Sequence, residues 1–185
     1  MYRSGLFLAA ALVLFANLTV ATPLDDYLAA PDANFTYGPT PVNTVSGAGY
    51  TGYICWMRSQ AWRDSSEVDR TLWEHWVRVV RPSTLSHDTA LLFISGGNNG
   101  GSTPASVDST LAGIGVMTNS LTAELRMIPN QPLHFTDEQD PRYVASGRSE
   151  DEMIAYAWDK FYRTGDPEWL PRLPMTKAVL RAMDP

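Results

Sequence analysis

Thr89-Ala90-Leu91-Leu92-Phe93-Ile94-Ser95-Gly96-Gly97-Asn98-Asn99-Gly100-Gly101 decides how the chain is read. Its first half is a short apolar run between polar residues, the pattern of a strand buried on both faces in a helix-covered sheet. It passes directly into a glycine-rich turn. Glycine tolerates φ > 0 and lets a ligand come close to backbone N–H groups. Beyond the turn, Ala105 to Met117 carries Val107, Leu111, Ile114 and Val116 at loosely helical spacing, weakened by Gly113 and Gly115. Leu121 to Ile128 then alternates as a strand and stops at Pro129-Asn130-Gln131-Pro132.

Upstream, Tyr53, Cys55 and Met57 alternate with Ile54, Trp56 and Arg58, a strand with one face more buried than the other. Glu67 to Leu72 reads as a turn. Trp73 to Val80 reads as a second strand, with Trp73, His75, Val77 and Val79 on one face and Glu74, Trp76, Arg78 and Val80 on the other, ended by Pro82. Residues 22–48, rich in Pro, Ala, Asp and Asn, form an N-terminal arm laid over the domain.

Downstream, Thr136 to Ser149 reads as a long polar loop. Ser149-Glu150-Asp151-Glu152 opens a helix whose apolar stripe is Met153, Ile154, Ala157, Trp158 and Phe161, closed by Gly165 and Pro167. Met175 to Met183 is a last helix. The order strand, strand, strand, helix, strand, helix, helix predicts an α/β fold with a mixed, mostly parallel sheet. That sheet reads as unfinished, because the last helices present apolar faces with no later strand to cover.

The 185 residues are 44% hydrophobic and 18% charged, which suits one globular domain over residues 49–185 with a core of its own. A net charge of -6 without basic clusters argues against nucleic acid and against an anionic membrane surface. Arg3, the apolar run Leu6 to Phe15 and the small residues Thr19-Val20-Ala21 form a signal peptide over residues 1–21, cleaved near Ala21. The run is shorter than the roughly 20 residues that span a bilayer, so no stable membrane anchor is expected. The chain is read as secreted. Asn34-Phe35-Thr36 is a candidate glycosylation sequon at Asn34. The single cysteine, Cys55, sits in a strand and reads as a buried, inert thiol.

For the glycine turn, several chemistries compete. It lacks the Lys-Ser/Thr ending of a phosphate-binding loop, and it lacks the Gly-x-Gly-x-x-Gly spacing of a dinucleotide site. A third reading is the loop after the third strand of an α/β-hydrolase, whose backbone N–H supplies half of an oxyanion hole, with Gly96, Gly97 and Asn98 as candidates. A plain turn without a ligand competes with it. His75, His87 and His134 show no metal-ligand spacing, and neither metal nor cofactor is expected. His75 reads as a packed structural histidine, Asp137, Glu138 and Asp140 beside Arg142 as a solvated acidic loop, and most of the six tryptophans as core. No Gly-x-Ser-x-Gly elbow occurs, so no catalytic residue is assigned within the chain.

Long segments nevertheless resemble one family. They are Gln60-Ala61-Trp62-Arg63, Val68 to Trp73 with His75-Trp76, Thr89 to Gly97, Ala123 to Leu133, Ala155 to Phe161 and Trp169 to Val179. Together these are similar to the PhoPQ-activated pathogenicity-related family, from about Pro23 onward. The resemblance implies an α/β-hydrolase-like domain, longer than this chain, with a Gly-x-Ser-Lys-Arg-Gly elbow shortly after the stretch matched by the tail. The expectation is therefore an incomplete α/β-hydrolase-like domain, ending before its nucleophile and lacking the C-terminal part of its own fold. A peptide or ester substrate is the expected partner. The alternative is a secreted signalling or growth-repressing protein that uses the fold as a scaffold and meets a cell-surface receptor.

Overall fold

A computed structural model describes residues 21–184. Apart from Ala21, the expected signal peptide lies outside the described residues. The elements run α1 (Pro23–Ala29), β1 (Thr36–Tyr37), β2 (Asn43–Gly47), β3 (Tyr50–Ala61), β4 (Leu72–Pro82), β5 (Leu91–Ile94), α2 (Ser109–Thr118), β6 (Thr122–Leu125), α3 (Pro141–Ser146), α4 (Glu150–Thr164) and α5 (Arg172–Met183), with a 3-10 turn at Pro167–Trp169. Among the described residues no helix is long and apolar enough to cross a membrane.

The protein is mixed α/β, built on a six-stranded sheet in the order β1-β3-β4-β6-β5, with β2 also paired to β3. Among the strand pairs of the described residues, only β5 and β6 are parallel, and the others are antiparallel. The expectation of a mostly parallel sheet is thereby corrected. Parallel neighbours need a crossover, and among the described residues α2 supplies one, between β5 and β6.

β3 and β4 form the long central hairpin, with Trp56 opposite Trp76 and Ile54 opposite Arg78. The register slips between Arg58 and Gln60, a bulge that lets the consecutive residues Ser59 and Gln60 both turn inward and become fully buried. Strand alternation sorts the two faces. Met57, Val77 and Leu125 pack with Ala178 of α5 on one side, and Val80 packs with Val107, just before α2, and with Ala112 of α2 on the other. A separate aromatic core joins Trp62, Trp73, Phe135 and Trp169 to Met153 and Ala157 of α4, with Trp62 meeting Trp73 and Trp169 edge to face. Trp62, Trp73 and Trp169 are buried, while Trp158 lies on the surface.

Four further readings are corrected. β5 is not buried on both faces: it is the outer strand of the described sheet, and Leu91, Phe93 and Ile94 are 43%, 53% and 45% exposed. The segment Thr136 to Ser149 is not all loop. Asp140 accepts from the Arg142 N–H and Pro141 takes the first helical position, so α3 forms there. The arm is structured as well: Thr22 and Asp25 cap α1 reciprocally, and β1 and β2 extend the sheet. The strand read over Leu121 to Ile128 stops at Leu125, because Met127 turns into the left-handed region at φ 67°.

Candidate functional site

β5 and β6 run parallel and end together, at Ile94 and Leu125. In open α/β sheets ligands gather beyond the carboxyl ends of such strands. The two exit loops are laced to each other there. Met127 N–H donates to Gly96 O at 3.1 Å and Ile128 N–H to Ser95 O at 3.2 Å, while Asn99 N–H bonds Gln131 O and Asn99 Nδ2 donates to Pro132 O. The N-terminus of α4 closes the third side, with Glu150 N–H donating to Gln131 Oε1 at 2.6 Å. Gly97 sits at φ 131°, a conformation side chains rarely adopt, and a Cβ there would meet an Arg126 nitrogen at 3.4 Å. Among the described residues, the N–H groups of Gly96, Gly97 and Asn98 donate to no protein acceptor.

Beside this loop lies a cleft of about 350 Å³ lined by Trp76, Gly97, Asn98, Gly101, Ser102, Arg126 and Met127. Gly97 and Asn98 line it directly; Gly96 is bound back through its carbonyl. Beneath them lies a charge cluster. Glu124 is 5% exposed and both its oxygens are engaged: Oε2 by the Arg78 guanidinium, Oε1 by the Ser95 hydroxyl at 2.7 Å. Arg126 Nε stands 3.8 Å from Oε1, too far for a hydrogen bond, and has no other partner among the described residues. Two guanidinium groups therefore face one carboxylate. Arg126, Glu124 and Trp76 were missed in the sequence. Alternation offered the signal, since Trp76, Arg78 and Glu124 fall on one sheet face across paired strands.

His75 is buried elsewhere, in a chain of hydrogen bonds. Tyr27 OH donates to Gln60 Oε1, Gln60 Nε2 donates to Pro174 O and to Ser59 Oγ, and Ser59 Oγ meets His75 Nε2 at 2.9 Å. His75 Nδ1 faces Arg126 O at 3.2 Å. Burial pulls its pKa down from 6.5 to about 4, with the backbone contacts at Arg126 and Met127 opposing. The ring is thus neutral, Nδ1–H donates, and Nε2 accepts the Ser59 hydroxyl proton. A serine–histidine pair with no carboxylate behind the ring and no exposed atom to offer a substrate is scaffolding, not a nucleophile.

The remaining candidates disperse. His134 pairs with Asp69 at 3.0 Å on the surface, and His87 lies apart from both. Among the described residues no group of three or more His, Cys, Asp or Glu side chains could hold a metal. The acidic loop is not simply solvated. Asp137 bonds Lys160 and Tyr156, Glu138 bonds Arg148 at 2.5 Å, and Asp140 holds Arg142 at 2.6 Å, each acid kept below its ordinary pKa first by its basic partner. Cys55 is half-buried, and desolvation raises its thiol pKa, which disarms it as a nucleophile. Asn34 is exposed and bonds Asp32 in a turn.

The fold and cleft define a mixed α/β protein with a glycine-lined, arginine-flanked cleft where its two parallel strands end. The chain belongs to the PhoPQ-activated pathogenicity-related protein family, which it matches over residues 24–185. It is 38% identical, over 183 residues, to autocrine proliferation repressor protein A of Dictyostelium discoideum. That alignment covers 98% of this chain but 35% of the relative, so the chain spans about a third of that protein's length. No solved structure matches it.

Proposed function

We propose that the chain is the N-terminal portion of a secreted α/β-hydrolase-like protein acting on peptides or esters. Gly97 and Asn98 offer oxyanion donors in this reading, and a nucleophile comes from a later segment. The observation that carries it is the position of the unengaged N–H groups at the carboxyl ends of β5 and β6. A donor there faces the place where a carbonyl oxygen would gain charge, and such a donor contributes about 3 kcal/mol to barrier lowering. Two facts support the portion reading. The family relative is much longer, and β5 presents an uncovered apolar edge, as a strand awaiting a neighbour would. The order β3-β4-β6-β5, an antiparallel hairpin followed by a crossover-linked parallel pair, suits the opening of a hydrolase sheet.

The test compares this chain with the product of the longer reading frame sought downstream in genomic DNA. Expected: the chain alone shows no turnover of activated esters, whereas the longer product turns over and is labelled at an elbow serine by a fluorophosphonate. Gly97→Ala in the longer product keeps the N–H but is strained at φ 131°, so it should shift the loop and lower kcat. Labelling of a serine within this chain would overturn the assignment. Secretion is checked by recovering protein from the medium with Thr22 as its first residue.

A second reading has its own support. The relative is named a proliferation repressor, and no serine–histidine–acid triad forms among the described residues. Here the fold is a secreted scaffold that engages a receptor. An intact, folded, longer product without serine labelling, active in repressing cell proliferation, would select it.

A further inference from the structure

Two guanidinium groups, Arg78 and Arg126, and two carboxylates, Glu124 and Glu150, stand around the cleft, but they are not evenly paired. Arg78 and Arg126 share Glu124, and Arg78 holds it while Arg126 does not. Among the described residues Arg126 Nε is buried without a hydrogen-bond partner, and the side chain as a whole is 36% exposed. A buried Nε–H without an acceptor is costly, because it forfeits its bond to water. Its terminal nitrogen lies against Gly97, whose N–H is itself unengaged. Residues carrying two kinds of donor therefore line the same cleft.

We infer that this cleft binds a monoanionic carboxylate borne by an apolar group, as at the C-terminus of a peptide ending in an apolar residue. The guanidinium presents a planar fork that matches a carboxylate, and the Gly97 and Asn98 N–H groups provide further donors. Trp76 and Met127 form the apolar wall for the group that carries it. A dianion such as phosphate is disfavoured by two acids: Glu124 below, and Glu150, whose Oε1 stands 3.4 Å from where a Gly96 Cβ would be. A neutral ligand could accept a hydrogen bond from Arg126 but would bring no charge to pair with it.

The inference rests on the loop being ligand-facing, as the hydrolase reading requires, and adds a charge to that ligand. The two fail separately. Acid binding without turnover would remove the hydrolase and keep the carboxylate site, and turnover of neutral esters with no preference for acids would do the reverse.

The experiment is a titration of the 15N-labelled protein with N-acetyl-leucyl-phenylalanine, with its C-terminal amide and with inorganic phosphate, following the Gly97 and Asn98 amide signals. Expected: the acid shifts both signals and binds at least about tenfold more tightly than the amide or phosphate, the ratio one charge-assisted pair supports. Arg126→Gln should erase the preference, Arg126→Lys should retain part of it, and Arg163→Gln, at a solvent-exposed arginine remote from the cleft, should leave it intact. Equal binding of acid and amide, tighter binding of phosphate, or an undiminished preference in Arg126→Gln would overturn the proposal. Should Arg126→Gln fail to fold, the acid–amide comparison on the unsubstituted protein decides alone.

Discussion

Lowering the pH should destabilise the protein through His75 before its surface carboxylates matter. In the unfolded chain the ring titrates near 6.5; in the fold it titrates at about 4, because burial opposes the charge. Between those values the unfolded state binds more protons, so stability falls as pH falls. Above about pH 7 both states are neutral at this site and nothing is lost. At about pH 4.5 the unfolded ring is almost fully protonated and the folded ring mostly is not, a difference of about 2.5 kcal/mol. Depressed acids such as Asp137, Glu138 and Asp140 add their own losses at lower pH, so the comparison must isolate the ring. His75→Gln does so, since an amide can accept from Ser59 without titrating. Urea unfolding, followed by tryptophan fluorescence at about pH 7.5 and about pH 4.5, should show the unsubstituted protein losing about 2.5 kcal/mol more than the variant. Parallel losses in both proteins, or a greater loss in the variant, would refute the neutral-histidine account.

Two glycine substitutions should move stability in opposite directions in the same urea assay. A Cβ on Gly52 would stand 2.7 Å from Val107 and 2.8 Å from Val45, so Gly52→Ala should cost about 1–3 kcal/mol. Gly113, inside α2, has nothing within 4 Å, and Gly113→Ala should gain about 0.5–1 kcal/mol. Arg63 bonds Glu67 and Asp166 while its guanidinium lies 4.0 Å over Trp169, so Arg63→Lys should lower the melting temperature although the charge is kept. Phe93→Ser, on the exposed edge strand, should reduce binding of a hydrophobic dye while changing stability by less than about 0.5 kcal/mol.

The hairpin and the acid-capped helix were legible because period and burial coincide in them. Trp73, His75 and Val77 are buried on alternate positions, and Met153 and Ala157 face inward four residues apart. β5 was misjudged for a physical reason. Leu91 to Ile94 has the composition of a strand covered on both faces, but composition records the neighbours a segment suits, not those present in the described sheet. The acidic loop was misjudged because Glu138 and Arg148 are ten residues apart and meet only after α3 folds back. In the cleft, the glycines announced a backbone that could receive a ligand. Nothing local announced Arg126, whose meaning depends on Arg78, 48 positions earlier, having already taken Glu124.

The same bend accounts for both the cleft and the buried histidine. Arg126 follows β6 on the face of Glu124, and the ladder ends immediately after it. Arg126 N–H still bonds Trp76 O in register with the ladder, and the chain departs at Met127, whose N–H bonds Gly96 O and which sits at φ 67°. A bulky residue there costs about 1–3 kcal/mol and persists only where neighbouring bonds over-determine it. Those bonds do two things together. They hold the Arg126 guanidinium at the glycine loop, away from full contact with Glu124, and they turn the Arg126 carbonyl toward His75 Nδ1. The strain thus fixes a cation beside unengaged N–H groups and anchors that arrangement to a neutral ring inside the sheet. It follows that His75→Gln should disturb the Gly97 and Asn98 amide signals even where it leaves the fold intact. Unchanged signals in a folded variant would show the two features to be neighbours without coupling.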